Sequence, residues 1–466
     1  MERLSNAVHK IIKYFYIVSV VAILCMILKQ NLGTFLAVLC IVTIIIGLNK
    51  FDISSKKFIM CIIIFIIITR IPVILEVHNP QVSDFKTLYD ISEDLRMHGS
   101  FSDESMRYLN AYNFQMPFIV VQAFFLCICN KITFLKLINV LLSLGTILLM
   151  YRIMLRISKR KDAEIGTVLY AIFANPILYN NILSNQHLFL FLSMLSFDLI
   201  GEDKIFRNKN MIKICVIGII LGIANLIRPE GILCVLTIIC YWIYCFLLKK
   251  NNLKGTLLKI GVFVLTYLLV STLPIMISRK LGIIENKAEI GTFYKIALGL
   301  NYDSNGRWSG EFFNEYLSQD KSTLRQYELE KIKCGISNPH LMDLFEKKIY
   351  IFWNSFDNAW TLDYLTNKYI GNTSITVSEF NVYIEDFDMV IWFFVLICAF
   401  FAISQDCEER NLYKIYLIGA FLLYLFIEVQ GRYGFIYRPF VFILASAGLI
   451  RLKSICLNKI KNYMKV

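Results

Sequence analysis

Long apolar runs alternate along the chain with short charged segments, and most runs approach the roughly 20 residues that carry a helix across a bilayer. They fall at 11–28, 34–48, 58–75, 134–154, 165–179, 188–200, 211–226, 232–248, 258–277, 389–403, 412–428 and 435–450. The alternation of period two that marks barrel strands is missing. The pattern therefore predicts an all-α polytopic membrane protein with about twelve transmembrane helices. One further run, 114–129, needs a different placement. If it crossed as well as 134–154, the basic segment YRIMLRISKRK at 151–161 would face outward, against the tendency of Lys and Arg in short loops to stay cytoplasmic. It is predicted to lie along the outer interface as a juxtamembrane helix.

With that choice the charges fall into step. The predicted inner segments carry Lys50, Lys56 and Lys57, the basic residues of 156–161 and 204–213, Lys249, Lys250 and Lys254, Arg410 and Lys414, and the tail 451–465. The short outer turns 30–33 and 180–185 carry no Lys or Arg, so both termini are expected to be cytoplasmic. The opening MERLSNAVHKIIK has a signal-like charge layout without a small-residue cleavage site, which reads as an uncleaved first span. The hydrophilic stretch 278–387 must then be extracytoplasmic. At about 110 residues it is too long for a passive connector, and helices are expected in it over 322–333 and 339–353. The second of these runs into IYIFWNSFDNAW, aromatic enough to rest on the interface or line a sugar site. The chain divides into an N-terminal helix pair (1–57), a transmembrane core (58–277) with its first outer loop at 76–133, the outer loop domain (278–387), and C-terminal helices with a basic tail (388–466).

Composition narrows the function classes. The chain is 57% hydrophobic and 18% charged, against about 45–50% and about 25% for soluble domains. Its net charge of +13 is spread over short inter-span segments rather than one stripe with interleaved aromatics, so nucleic acid is not the expected partner. Of 13 cysteines, Cys334 alone lies in a long hydrophilic segment, and no CxxC occurs, which argues against a disulfide framework. His98 and His187 are isolated from any partner with metal-ligand spacing. No Walker loop, GxSxG elbow or dinucleotide fingerprint is present, which excludes a pump with its own ATPase.

Ionisable residues at the predicted outer face carry the candidate chemistry. The stretch 82–99, VSDFKTLYDISEDLRMHG, holds Asp84, Asp90, Glu93 and Asp94 just beyond a span. Asp84 suits a general base acting on an acceptor hydroxyl, or else a helix cap; Asp90 reads as a cap, and Glu93 and Asp94 as a solvated helix face. Arg70, about six residues inside the end of its span, is either functional or snorkelling. Arg228, at an outer junction with Pro229 and Glu230, is placed to grip a phosphate or to pair with Glu230. The last outer turn, EVQGRYGFIYRPF, holds Glu428, Gln430, Arg432, Tyr433, Tyr437 and Arg438. Two Arg in a short outer turn oppose the charge rule, so a phosphate, an acidic loop or interfacial anchoring must keep them there.

In that order along the chain, these features resemble the GT-C class of integral-membrane glycosyltransferases, especially the bacterial branch of protein O-mannosyltransferases and aminoarabinose transferases. The matching elements are Asp84, Tyr89 and Gly99 in the first main outer loop, a juxtamembrane helix before a span ending in basic residues, GIILGIANLIRP ending at Arg228-Pro229, and Gln430-Gly431-Arg432-Tyr433 before the final helix. The likeness runs from Phe58 onward, with the first two spans as an added pair. It implies a hexosyl or pentosyl transferase of the cell envelope that moves a sugar, with inversion, from a polyprenyl-phosphate donor to an extracytoplasmic glycan, lipid or protein acceptor. Residue by residue, Asp84 becomes the catalytic carboxylate, Arg228, Arg432, Tyr433 and Arg70 the donor-phosphate ligands, and Tyr89, Gln430, Glu230 and Arg438 substrate-binding residues. The Asp-Glu pair common in relatives is Asp84-Phe85 here, and the usual Tyr-Pro-Pro segment is YNFQMP at 112–117. No metal ligands are assigned, and a divalent cation is the one cofactor the resemblance leaves open. An O-antigen-type polysaccharide polymerase and a lipid or solute transporter without catalysis are the competing expectations; the latter would place ionisable groups near the bilayer midplane.

Overall fold

A computed structural model describes residues 32–76, 81–201, 210–248, 252–280, 282, 290–356, 377–403 and 408–463. The predicted span at 11–28 and the 357–376 part of the outer loop lie outside them. The described residues are helical, with no strand among them. In chain order they form α1 (Leu32–Lys50), α2 (Ser55–Glu76), α3 (Ser83–His98), α4 (Asp103–Ala111), α5 (Met116–Ile128), α6 (Ile132–Ile157), α7 (Arg160–Ile172) and α8 (Ala174–Tyr179). There follow α9 (Gln186–Ile200), α10 (Asn210–Ile227), α11 (Gly231–Leu247), α12 (Leu253–Lys280), α13 (Tyr294–Gly299), α14 (Gly310–Leu317), α15 (Leu324–Ile336) and α16 (Leu341–Asn354). The chain closes with α17 (Val377–Ile403), α18 (Glu408–Phe426) and α19 (Arg438–Tyr463).

Among the described residues six helices are long and apolar enough to cross a membrane: α1, α2, α6, α10, α12 and the Phe380–Ile403 part of α17. The expected count of about twelve is met only in part. At ~1.5 Å per residue, the 15 residues of α9 and 17 of α11 fall short of a hydrocarbon core. The expected span at 165–179 is broken between α7 and α8: Phe173 turns extended, and the freed N–H groups of Ala174 and Asn175 both donate to the buried Asp388 carboxylate at 2.7 Å. Pro176 follows, a residue suited to the first turn of a new helix. The chain is a polytopic helical membrane protein.

Charged segments gather at one end of the bundle. Lys161 lies 3.4 Å from Asp52, Arg156 donates to Asp198 at 2.7 Å, Lys213 to the Ile200 carbonyl at 3.1 Å, and Arg410 to the Ile157 carbonyl at 3.1 Å. The segments predicted to share the inner face thus share one end. At the opposite end α5 is tied to that end's loops: the side-chain oxygen of Gln115, just before it, accepts from the Asn185 side chain, and Gln122 donates to the Leu183 carbonyl. Its 13 residues are fewer than the roughly 20 of a straight span, and with α4 it forms a pair bent by 105°.

The hub of this end is the stretch 180–187, NNILSNQH, buried throughout. Asn139 donates to the Asn180 and Ile182 carbonyls, Lys136 to the Asn181 side chain, and Asn181 to the Val73 carbonyl. Side-chain amides there supply the bonds that irregular backbone inside a bundle would otherwise lack.

Candidate active site

The hub fixes the position of Asp84. Gln81 grips it with both amide atoms, donating to the Asn181 carbonyl and accepting from the Leu183 N–H, each at 2.9 Å. Two residues on, α3 starts through Ser83 at a φ of +50°, a left-handed backbone that costs a non-glycine residue about 1–2 kcal/mol. Helix α3 then buries Phe85, Leu88, Ile91 and Ser92 against α5, where the Ser92 hydroxyl meets Gln122 at 3.0 Å. Asp84, in the first turn and half-exposed, lies at this end of the bundle with its Oδ2 3.6 Å from Arg432 Nη2. The other acids of the stretch are occupied locally. Asp90 pairs with Lys86, Glu93 lies 3.9 Å from Arg96, and Asp94 accepts from the Ser102 N–H and the Ser105 hydroxyl at 3.0 Å.

Arg432 belongs to the 3-10 turn Gly431–Ile436, and its carbonyl accepts from Gln186 of the hub at 3.0 Å. Its guanidinium lies over the Phe85 ring at 5.0 Å and near the Tyr433 ring at 5.8 Å. Arg228 also lies 5.8 Å from the Tyr433 ring; it donates to Asn185 of the hub at 2.8 Å and pairs with Glu230. Burial works against charge on both partners, and their attraction outweighs it: Arg228 is held above its ordinary range and Glu230 below its own. Burial and nearby Glu428 push the Tyr433 phenol up to about 12, so it stays a donor; its hydroxyl lies 3.4 Å from Glu428. Glu428, buried, also accepts from Gln430 at 2.7 Å and pairs with Lys295 of α13. Tyr108 and Tyr112 bring two more phenols into the field of Asp84, both pushed up by burial.

The outer segment closes on this turn. The Glu428 N–H donates to the Lys295 carbonyl at 2.8 Å, and the Val429 N–H to the Gly306 carbonyl at 2.9 Å. Gly434 approaches so closely that a Cβ there would sit 2.3 Å from the Phe352 carbonyl oxygen. Lys348 of α16, buried, donates to the Gly299 carbonyl at 2.6 Å and the Ile427 carbonyl at 2.8 Å. Burial pushes its amine down to about 7, Glu428 opposing. The docked segment therefore binds fewer protons than the undocked one between pH 7 and the ordinary lysine range, so docking strengthens as pH rises through that window. Protease cleavage of the segment, normalised to an unfolded peptide, should slow from pH 7 to pH 9, and Lys348→Met should flatten the trend. An unchanged trend in that variant would assign the effect to another group.

Asp84, Arg432, Tyr433, Arg228, Glu230 and Gln430 thus form one connected group. Three expected members lie apart. Arg70 is fully buried within α2, with Nη1 3.5 Å from Thr69 Oγ1, and its Nε and Nη2 have no hydrogen-bond partner among the described residues. Tyr89 packs against the Leu126, Leu135 and Leu183 cluster. Arg438, buried, donates to the backbone carbonyls of Phe352, Ser355 and Gly431 and to the Asn175 side chain. Lys295, Asn185 and Gln186 escaped the sequence reading. The signal for the last two was the density of amides in NNILSNQH, unusual for a plain turn.

The Asp84 carboxylate faces a guanidinium and its neighbour is Phe85, and among the described residues no three His, Cys, Asp or Glu side chains converge.

No family model and no curated protein matches the chain. Among solved structures it is similar to the archaeal oligosaccharyltransferase AglB from Archaeoglobus fulgidus in complex with an inhibitory peptide and a dolichol-phosphate, with a TM-score of 0.48 and 14% identity over 88% of this chain and 51% of that one. It is also similar to the Archaeoglobus fulgidus oligosaccharyltransferase tethered by a disulfide bond to an acceptor peptide containing the NVT sequon, with a TM-score of 0.48 and 13% identity over 88% of this chain and 51% of that one. The chain spans about half the length of each.

Proposed function

We propose that this protein is a membrane glycosyltransferase that moves a sugar from a polyprenyl-phosphate donor to an acceptor hydroxyl at the extracytoplasmic face, with Asp84 as general base. The observation that carries the reading is the half-exposed Asp84 carboxylate set 3.6 Å from Arg432, with Tyr433 and Arg228 beside it. Asp84 takes the proton of the acceptor hydroxyl, and the hydroxyl oxygen attacks the anomeric carbon from the face opposite the phosphate. The bond between that carbon and the phosphate oxygen breaks, and polyprenyl monophosphate leaves with its charge met by Arg432 and Arg228 and a hydrogen bond from Tyr433. A phosphate that draws Arg432 toward itself also loosens it from Asp84, so donor binding readies the base. Arg70 and Arg438 are left out of this step because of where they are buried.

Purified protein given a polyprenyl-phosphate sugar should release polyprenyl monophosphate only when an acceptor hydroxyl is supplied. Passage of intact donor across a vesicle membrane without cleavage would instead make it a transporter. The face is tested separately through Cys334, exposed in α15 of the outer segment. A membrane-impermeant maleimide should label wild-type protein on intact cells and fail on Cys334→Ser. Labelling of Cys334 only after permeabilisation would reverse the orientation.

A further inference from the structure

We infer that Lys295, carried by the outer segment, is a third cation of the donor-phosphate site, passing from Glu428 to the phosphate when the donor binds. The inference rests on the donor reading above and extends it to a part of the chain outside the membrane-spanning helices. Three cations meet at Tyr433 and its partner. The Arg228 and Arg432 guanidinium groups each lie 5.8 Å from the Tyr433 ring, and Lys295 pairs with Glu428, whose other oxygen accepts from the Tyr433 hydroxyl. Their surroundings differ. Arg228 is locked by Glu230 and Asn185 and is nearly buried, whereas the Lys295 side chain is 44% exposed and, among the described residues, has one ion-pair partner, with the Tyr294 ring 5.9 Å from its ammonium. Glu428, by contrast, keeps Gln430 and Tyr433 as donors if the ammonium leaves.

An ammonium on a four-carbon stem can turn through that distance while its backbone stays pinned by the Glu428 N–H. The docked segment therefore contributes a phosphate ligand as well as a cover, and the donor holds the segment down. The test is equilibrium binding of a polyprenyl monophosphate, against the uncharged polyprenol, to full-length protein in detergent. Lys295→Met combined with Glu428→Gln keeps the pair neutral and the segment docked, docking being read by limited proteolysis. It should weaken monophosphate binding by about tenfold or more, the scale of one charge-assisted contact, and leave polyprenol binding unchanged. Lys295→Arg should retain most of the affinity. Wild-type affinity in the docked double variant overturns the role of Lys295 alone. Equal binding of monophosphate and polyprenol by the wild-type protein overturns the donor reading and this inference with it.

Discussion

Asp84→Asn should lower the rate of sugar transfer by about 10²–10⁴-fold, the usual worth of a positioned general base, while the protein still folds and inserts. Folding is expected to survive because Asp84 is half-exposed, and what holds α3 in place is Gln81 and the Phe85, Leu88, Ile91 and Ser92 face, none of which the substitution touches. The split between kinetic constants is the sharper readout. Asparagine removes the proton acceptor and also the carboxylate that holds Arg432, so turnover should collapse while affinity for polyprenyl monophosphate holds or rises. Uniform loss of binding would point to a role in holding substrate. Turnover within a few-fold of wild type would end the assignment of Asp84 as base. Arg432→Gln should show the opposite pattern, weaker donor affinity with Asp84 in place.

Much of this group was legible in the sequence because each member breaks a local rule. Asp84 sits among acids that all have local partners, and Arg432 sits in a short turn at the end opposite the basic segments. The shared end of those segments was legible from their repetition, since Arg156, Lys161, Lys213 and Arg410 recur between apolar runs and converge. What stayed hidden depends on partners far away in sequence. The break between α7 and α8 reads as a continuous apolar span until Asp388, 214 residues from Ala174, supplies the acceptor that lets the helix stop. Lys295 reads as one of many surface lysines until Glu428, 133 residues on, is beside it. Asn185 and Gln186 looked solvated because a turn without charges gives no hint that the carbonyls it serves belong to other elements. Arg70 was legible as an intramembrane guanidinium, but not that it would be enclosed within the bundle, since that depends on the helices packed around it.

Arg438 carries the largest structural consequence. It opens α19, where the helix dipole disfavours a cation, and it is buried over the Phe356 ring at 4.7 Å. Its Nη2 donates to the Ser355 carbonyl at 2.6 Å, the Gly431 carbonyl at 3.1 Å and the Phe352 carbonyl at 3.4 Å, and Nη1 to Asn175 at 3.3 Å. Those acceptors belong to the outer segment, the turn bearing Arg432, and the short helix α8, so one side chain ties three elements together. Arg438→Met keeps much of the volume and removes the donor these acceptors share, at about 1–3 kcal/mol for a buried polar group left unsatisfied. The predicted outcome is a loss on the order of 3 kcal/mol, seen as a lower unfolding temperature in detergent and faster proteolysis of the outer segment. Arg438→Lys should recover part of it, since an ammonium can serve some of these acceptors but lacks the planar fork that serves both sides. If Arg438→Met unfolds at the wild-type temperature but loses donor binding, Arg438 acts on substrate after all, as the resemblance had implied.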